Sequence, residues 1–213
     1  MRVIVVDDML LVQEGLVGLL GERGIDVIAG TSDASNIESL IALHSPDVVI
    51  LDIRMPPTFT DEGLVAAAEI RLAHPGVAIL VLSQYAEPRY AIRLLREVPD
   101  RVGYLLKDRV IDIGTVSDAL RRMTKAETVI DPSIVASVIG DRRKGTKLEG
   151  LTEREREVLA LVAEGLSNQV IGRRLVVNEQ SVGAHATQIF QKLKLEQSPD
   201  LHQRALDVLT YLR

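Results

Sequence analysis

The chain has 213 residues, a formal charge of −5, no cysteine, no tryptophan and only six aromatic rings. These features exclude a disulfide framework, a thiolate metal centre, a cysteine nucleophile and an aromatic platform for single-stranded nucleic acid. Apolar residues suffice for a packed core, yet no apolar run reaches the ~18–20 residues that span a bilayer, so a cytoplasmic protein without a membrane partner is expected.

Strand candidates are Arg2–Val6, Asp26–Ala29, Val48–Leu51, Val77–Leu82 and Gly103–Leu106. Each is short, rich in Val, Ile or Leu and free of polar alternation, as strands covered on both faces are. Amphipathic stretches at Leu11–Arg23, Ala34–His44, Gly63–His74, Arg89–Glu97 and Ile113–Ala126 separate or follow them. Five such units predict an α/β domain over residues 1–126, a five-stranded parallel doubly wound sheet with right-handed crossovers. Residues 127–147 break the pattern and read as a linker with one helix near Ile134–Ile139, followed by the basic run Arg142-Arg143-Lys144.

From residue 148 onward only helical patterns remain. Thr152 and Glu155 make a capping box, Ser167 and Asn178 are N-caps, and Pro199 or Asp200 starts a last helix. The helices predicted are 153–164, 168–175, 179–193 and 200–211, a small all-α domain over 148–213. Residues 1–140 hold 13 Lys and Arg against 20 Asp and Glu, a balance of −7; the remaining residues hold 12 against 10, a balance of +2. The acidity belongs to the α/β half, so the total charge does not exclude a DNA partner.

Ligands of open parallel sheets bind beyond the carboxyl ends of the strands. Here the first strand runs into Asp7-Asp8, the third into Asp52, the fourth into Ser83 and the fifth into Lys107. Three carboxylates so close call for a hard cation such as Mg²⁺. Lys107 adds a charge suited to phosphate and Ser83 a hydrogen-bond donor. That set is equipped for phosphoryl transfer, with Asp52 as the acceptor nucleophile.

The segments Val5-Val6-Asp7-Asp8, Ile50-Leu51-Asp52-Ile53-Arg54-Met55-Pro56, Leu82-Ser83 and Gly103-Tyr104-Leu105-Leu106-Lys107-Asp108 resemble the receiver domain of bacterial two-component response regulators. The resemblance implies a flavodoxin-like fold and phosphorylation of Asp52 by a sensor histidine kinase. It implies that Mg²⁺ is arranged by Asp7, Asp8, Asp52 and the backbone carbonyl of Arg54, with Lys107 on the phosphoryl group. Ser83 and Tyr104 would be the switch pair, Tyr104 rotating inward as Ser83 moves toward the phosphoryl group. Two features depart from the commonest pattern. The loop Pro57-Thr58-Phe59-Thr60-Asp61-Glu62-Gly63 is longer than usual beside the site, and Asp108 stands where many receivers have proline. The Arg54 side chain has two readings, overhanging the pocket or forming a surface salt bridge.

Residues 151–193, with Glu164-Gly165-Leu166-Ser167-Asn168, Ile171-Gly172 and Ser181-Val182-Gly183-Ala184-His185, resemble the helix-turn-helix domain of the NarL/LuxR class. The resemblance implies that the helix Glu179–Leu193 enters the major groove of promoter DNA. Val182, Ala186, Ile189 and Leu193 share a core-facing stripe. Gln180, Ala184, Thr187 and Gln191 lie opposite, with Gly183 and Gln188 at the margins. Glutamine can pair with adenine, and Ala or Thr can touch a thymine methyl. The class usually has lysine where this chain has Gly183, so phosphate contacts are expected from Arg173, Arg174, Lys192 and Lys194, with the linker run as a further candidate. His185 is expected to be structural. The whole reads as a regulator rather than an enzyme, forming a homodimer on paired half-sites when phosphorylated. The rival is a signalling protein whose helical domain acts through protein partners. A phosphatase of the haloacid-dehalogenase type is disfavoured, because Asp7-Asp8-Met9 is not the Asp-x-Asp that chemistry uses.

Overall fold

The computed structural model describes residues 1–139, 148, 150–195 and 198–212. They form two compact units, one of residues 1–85 with 93–129 and one of residues 86–92 with 130–212. In the first, β1 (Arg2–Val6), β2 (Asp26–Thr31), β3 (Val48–Asp52), β4 (Ala78–Ser83) and β5 (Val102–Leu106) alternate with helices. These are α1 (Leu10–Gly21), α2 (Ile37–His44), α3 (Glu62–Ala73), α4 (Pro88–Glu97) and α5 (Ile113–Met123). The order across the sheet is β2-β1-β3-β4-β5, and β1 to β5 pair in parallel.

Alternate strand residues divide the core. Val3, Val5, Ile50, Leu80, Leu82 and Leu105 pack with Leu16 and Leu20 of α1 and with Val116, Leu120 and Met123 of α5. Ile4, Val6, Val49, Leu51, Ile79 and Val81 point to the other face and are equally buried, with α3 crossing β3 and β4. Covered on both faces, these strands need no polar alternation, which is why they read as continuous Val, Ile and Leu runs.

The five expected strands form, and a sixth joins them. The two-residue β6 (Val129–Ile130) lies beside β5, and α6 (Pro132–Ile139) follows it. Part of the stretch read as linker is therefore built into the fold: Ile134 and Val135 are buried, and α6 packs on later helices of the second unit. The run Arg142-Arg143-Lys144 lies outside the described residues.

The second unit contains α7 (Glu153–Ala163), α8 (Asn168–Leu175), α9 (Glu179–Leu193) and α10 (Leu201–Leu212). Thr152 and Glu155 close the capping box; Ser167 caps α8 through Val170 N at 3.4 Å, and Asn178 caps α9 through Ser181 N at 2.7 Å. The Asp200 carboxylate accepts from His202 N at 2.8 Å, so of the two candidates it is Asp200 that caps α10. Between α8 and α9 the chain turns through Val176 in a left-handed conformation, and a Cβ on Gly172 would come within 2.7 Å of the Val177 carbonyl oxygen. The tight turn of this helix pair therefore depends on glycine at 172.

Candidate functional site

From β1 the chain passes first to one side, to β2, and then back across to β3 on the other. The crevice at that reversal is where open α/β sheets bind ligands. Register fills it: Val6 of β1 lies opposite Leu51, Asp52 opposite Leu82, and Ser83 opposite Leu106. One layer past the strand ends therefore carries Asp7, Asp52, Ser83 and Lys107 side by side. Lys107 Nζ lies 2.8 Å from Asp7 Oδ2 and 2.8 Å from Asp52 Oδ2. Carboxylate oxygens of Asp7, Asp8 and Asp52 all fall within 4.8 Å of one another.

The three acids are held differently. Asp7 is buried, its Oδ1 accepting from Met9 N at 3.0 Å while its buried Oδ2 has the Lys107 ammonium beside it and accepts no hydrogen bond of good geometry. Asp8 is exposed. Asp52 is buried and its Oδ1 accepts from Ile53 N at 2.7 Å. Burial pushes the Asp52 carboxyl above its ordinary value; Lys107 pulls it down and the Asp7 charge pushes it up, leaving a net rise. Burial pulls the Lys107 ammonium down, but Asp52 and Asp7 outweigh it and its value is raised. Lys107 is thus a fixed cation, and Asp52 a carboxylate whose charge is poorly solvated.

A cavity of about 300 Å³ opens over these groups, walled by Asp8, Asp52, Arg54, Phe59, Tyr85 and Lys107 among others. The Arg54 guanidinium stands 5.4 Å from the Tyr85 ring centre, in keeping with its overhanging reading. Ser83 Oγ donates to the Tyr85 carbonyl at 2.8 Å and accepts from Tyr85 N at 3.2 Å. To donate toward a group on Asp52 it must exchange the first of these bonds. Tyr104 is fully buried.

Sequence reasoning missed three supporting residues. Gln13 Nε2 donates to the carbonyls of Asp7 at 2.6 Å and Thr31 at 3.2 Å, tying α1 to the ends of β1 and β2. Gly63 packs its Cα against the strand end, where a Cβ would stand 1.8 Å from the Asp52 carbonyl oxygen. Glu62 organises the long loop, its carboxylate accepting from Thr58 N at 3.0 Å, from Thr60 N at 2.9 Å and from the Thr58 hydroxyl. Burial alone would raise Glu62, but these bonds hold its carboxyl down to about 2. A polar residue inside the apolar α1 and an acid four residues after a threonine were the visible signals.

In the second unit, Val182, Ala186, Ile189 and Leu193 are buried as their spacing predicts, while Gln180, Ala184, Gln188 and Gln191 are exposed and Gly183, His185 and Thr187 intermediate. Thr187 Oγ1 donates back to the Gly183 carbonyl at 3.0 Å. Lys192 is exposed, and its ammonium lies 2.8 Å from both oxygens of the buried Glu155, tying α9 to the start of α7. Arg174 pairs with Glu164 at 3.0 Å while half exposed, and Arg173 and Lys194 are exposed.

The family model of the response regulator receiver domain matches residues 3–116, and that of bacterial regulatory proteins of the luxR family matches residues 149–205. The chain is a response regulator of the LuxR class. Oxygen regulatory protein NreC of Staphylococcus carnosus is 32% identical over 216 residues, covering 97% of each chain, and that of Staphylococcus haemolyticus is 31% identical with the same coverage. Among solved structures, RcsB of Salmonella typhimurium aligns with a TM-score of 0.56 at 22% identity over 95% of this chain and 96% of its own, a likeness of fold. ChrA, from a heme-sensing two-component system, aligns with a TM-score of 0.51 at 28% identity over 96% of this chain and 95% of its own. As a response regulator with a LuxR-type domain, the protein is a phosphorylation-controlled transcriptional regulator, with a sensor kinase and promoter DNA as partners. No helix among the described residues is long and apolar enough to cross a membrane.

Proposed function

We propose that Asp52 is the phosphoacceptor, that residues 1–126 act as the receiver and 148–213 as the output domain, and that phosphorylation promotes homodimer binding to paired half-sites in the cytoplasm. The observation that carries the reading is Lys107 Nζ at 2.8 Å from both Asp7 and Asp52, at the reversal point of the sheet. Asp52 Oδ2 attacks the phosphorus of a phosphohistidine; the imidazole leaves with the electrons of the N–P bond and takes up a proton. Lys107 neutralises charge on the transferring group, and Ser83 donates to one of its oxygens after releasing the Tyr85 carbonyl. The two aspartates beside Asp52 and the Asp7 oxygen that accepts no well-formed hydrogen bond fit a divalent cation. Asp7, Asp8, Asp52 and the Arg54 carbonyl would hold Mg²⁺, which supplies charge neutralisation at the phosphoryl oxygens.

Gln180, Gly183, Ala184, Thr187, Gln188 and Gln191 form the base-reading face, and Arg173 and Arg174 contact phosphate. One solved structure is of two RcsB dimers bound to two parallel DNAs; the same mode of output is proposed for this chain. The test is acetyl phosphate treatment of the native protein and of Asp52→Asn, followed by intact mass, sedimentation and binding to fragments of its own promoter. Phosphorylation, dimerisation and tightened binding are expected for the native chain alone. Labelling of the Asn variant would assign the acceptor elsewhere, and promoter affinity no better than for random DNA would favour the protein-partner role.

A further inference from the structure

The long loop after β3 places an aromatic ring at the mouth of the cavity, and nothing in the phosphoryl-transfer set explains it. Phe59 lines the same cavity as Asp52, Arg54, Tyr85 and Lys107, yet 52% of its surface is exposed. Its backbone has φ of +56°, a conformation that L side chains disfavour and glycine adopts freely. The residues around it keep it there. Phe59 N donates to the Met55 carbonyl at 2.9 Å, and the Glu62 carboxylate gathers the backbone N–H groups on either side of it, Thr58 N at 3.0 Å and Thr60 N at 2.9 Å. The Thr58 and Thr60 hydroxyls meet at 2.8 Å, closing the turn. An apolar ring held half in solvent, against backbone preference, on the rim of a polar cavity points to a function at that rim.

Resting on Asp52 as the phosphoacceptor, we propose that Phe59 shields its aspartyl phosphate from water and so sets the lifetime of the phosphorylated state, with Glu62 as the residue that positions the ring. Loss of the phosphoryl group proceeds by attack of a water oxygen on phosphorus. The P–O bond to Asp52 breaks, the carboxylate leaves with its electron pair, and the water proton passes to solvent, giving inorganic phosphate. The attacking water must reach the phosphorus from the side opposite Asp52, the side on which the cavity opens. Arg54 over Tyr85 narrows one part of that opening, and the Phe59 ring narrows another. A ring there lowers the number of waters in line with the P–O bond while leaving Lys107 and Ser83 untouched.

The experiment compares the full-length chain with Phe59→Gly, Phe59→Leu and Glu62→Ala. Each is phosphorylated with acetyl phosphate, freed of donor, and followed by intact mass for loss of the phosphoryl group. Glycine suits the backbone at 59 and removes only the ring, so a folding defect is not expected. Phe59→Gly should shorten the phosphoryl lifetime about tenfold, Glu62→Ala should shorten it in the same direction, and Phe59→Leu should restore most of it. Unchanged lifetime in Phe59→Gly, or no rescue by leucine, overturns the shielding role. Failure of the native chain to label at all, or labelling that persists in Asp52→Asn, overturns the phosphoacceptor reading instead.

Discussion

At the scale of single residues, the carboxylate of Asp52, the proposed acceptor, carries a cost. The Asp52 pKa in the folded chain lies above the ordinary 3.8, chiefly through burial. Its ionised form therefore destabilises the fold at pH above the folded value, and that cost fades as pH falls through the folded value to 3.8. Asp52→Asn keeps the shape and removes the charge. It is expected to melt a few degrees higher than the native chain near neutral pH, with the gain shrinking toward pH 3.8 in circular dichroism melts. A lower melting point near neutrality would mean that attraction to Lys107 outweighs desolvation. Gly63 is the steric counterpart. A methyl group there meets the Asp52 carbonyl oxygen at 1.8 Å, and backbone cannot step aside as a side chain can. Gly63→Ala should cost about 2–3 kcal/mol in urea unfolding and slow acetyl phosphate labelling, since relief of the clash displaces the acceptor strand end.

At the scale of elements, the helical unit was the more legible half. Its caps are side chains of defined chemistry at defined offsets, so α8 and α9 fall on the expected residues and α7 and α10 within one. The 3₁₀ turn Lys107–Ile111, the strand β6 and the left-handed Val176 were not legible, for a common reason. None carries a strong local signal, and valine in particular signals strand rather than a left-handed turn. The grouping of the candidate site residues was visible because strand ends repeat a simple geometry. The pairing of Lys192 with Glu155 was hidden because the two are 37 residues apart and meet only once α7 and α9 pack. The recognition helix also invites a test. The nearest atom to a Cβ at Gly183 is Asn168 Nδ2 at 3.7 Å, ordinary contact. Gly183→Lys should stabilise α9 by up to about 1 kcal/mol and, in salt titrations, tighten DNA binding with a log–log slope steeper by about 0.9. An unchanged slope would place position 183 away from the phosphates.

At the scale of the whole molecule, the balance of −7 over residues 1–140 and +2 over the remainder assigns different tasks to the two halves. In the proposed reading, one half would hold a cation and a phosphoryl group within an acidic crevice, and the other would present a mostly uncharged reading face to a polyanion. If the proposed phosphate contacts are the main ones, useful affinity would require two domains on one stretch of DNA, which would place control of occupancy in the assembly step that phosphorylation governs. The fold class and domain order were legible because binary patterning differs so strongly between the halves. The packed segment 128–135 was not, because its proline, short length and mixed composition look like any connector.

The Glu155 carboxylate closes the cap of α7 through Thr152 N at 2.7 Å while gripping Lys192 of α9 at 2.8 Å. One anion thereby works as a hinge pin between α7 and α9, the helix proposed to read DNA. Its removal would free an ammonium for the DNA backbone at the same moment as it let the reading helix swivel. On that proposal, affinity for any duplex would rise while the power to choose among duplexes fell, and the salt bridge would trade grip for discrimination.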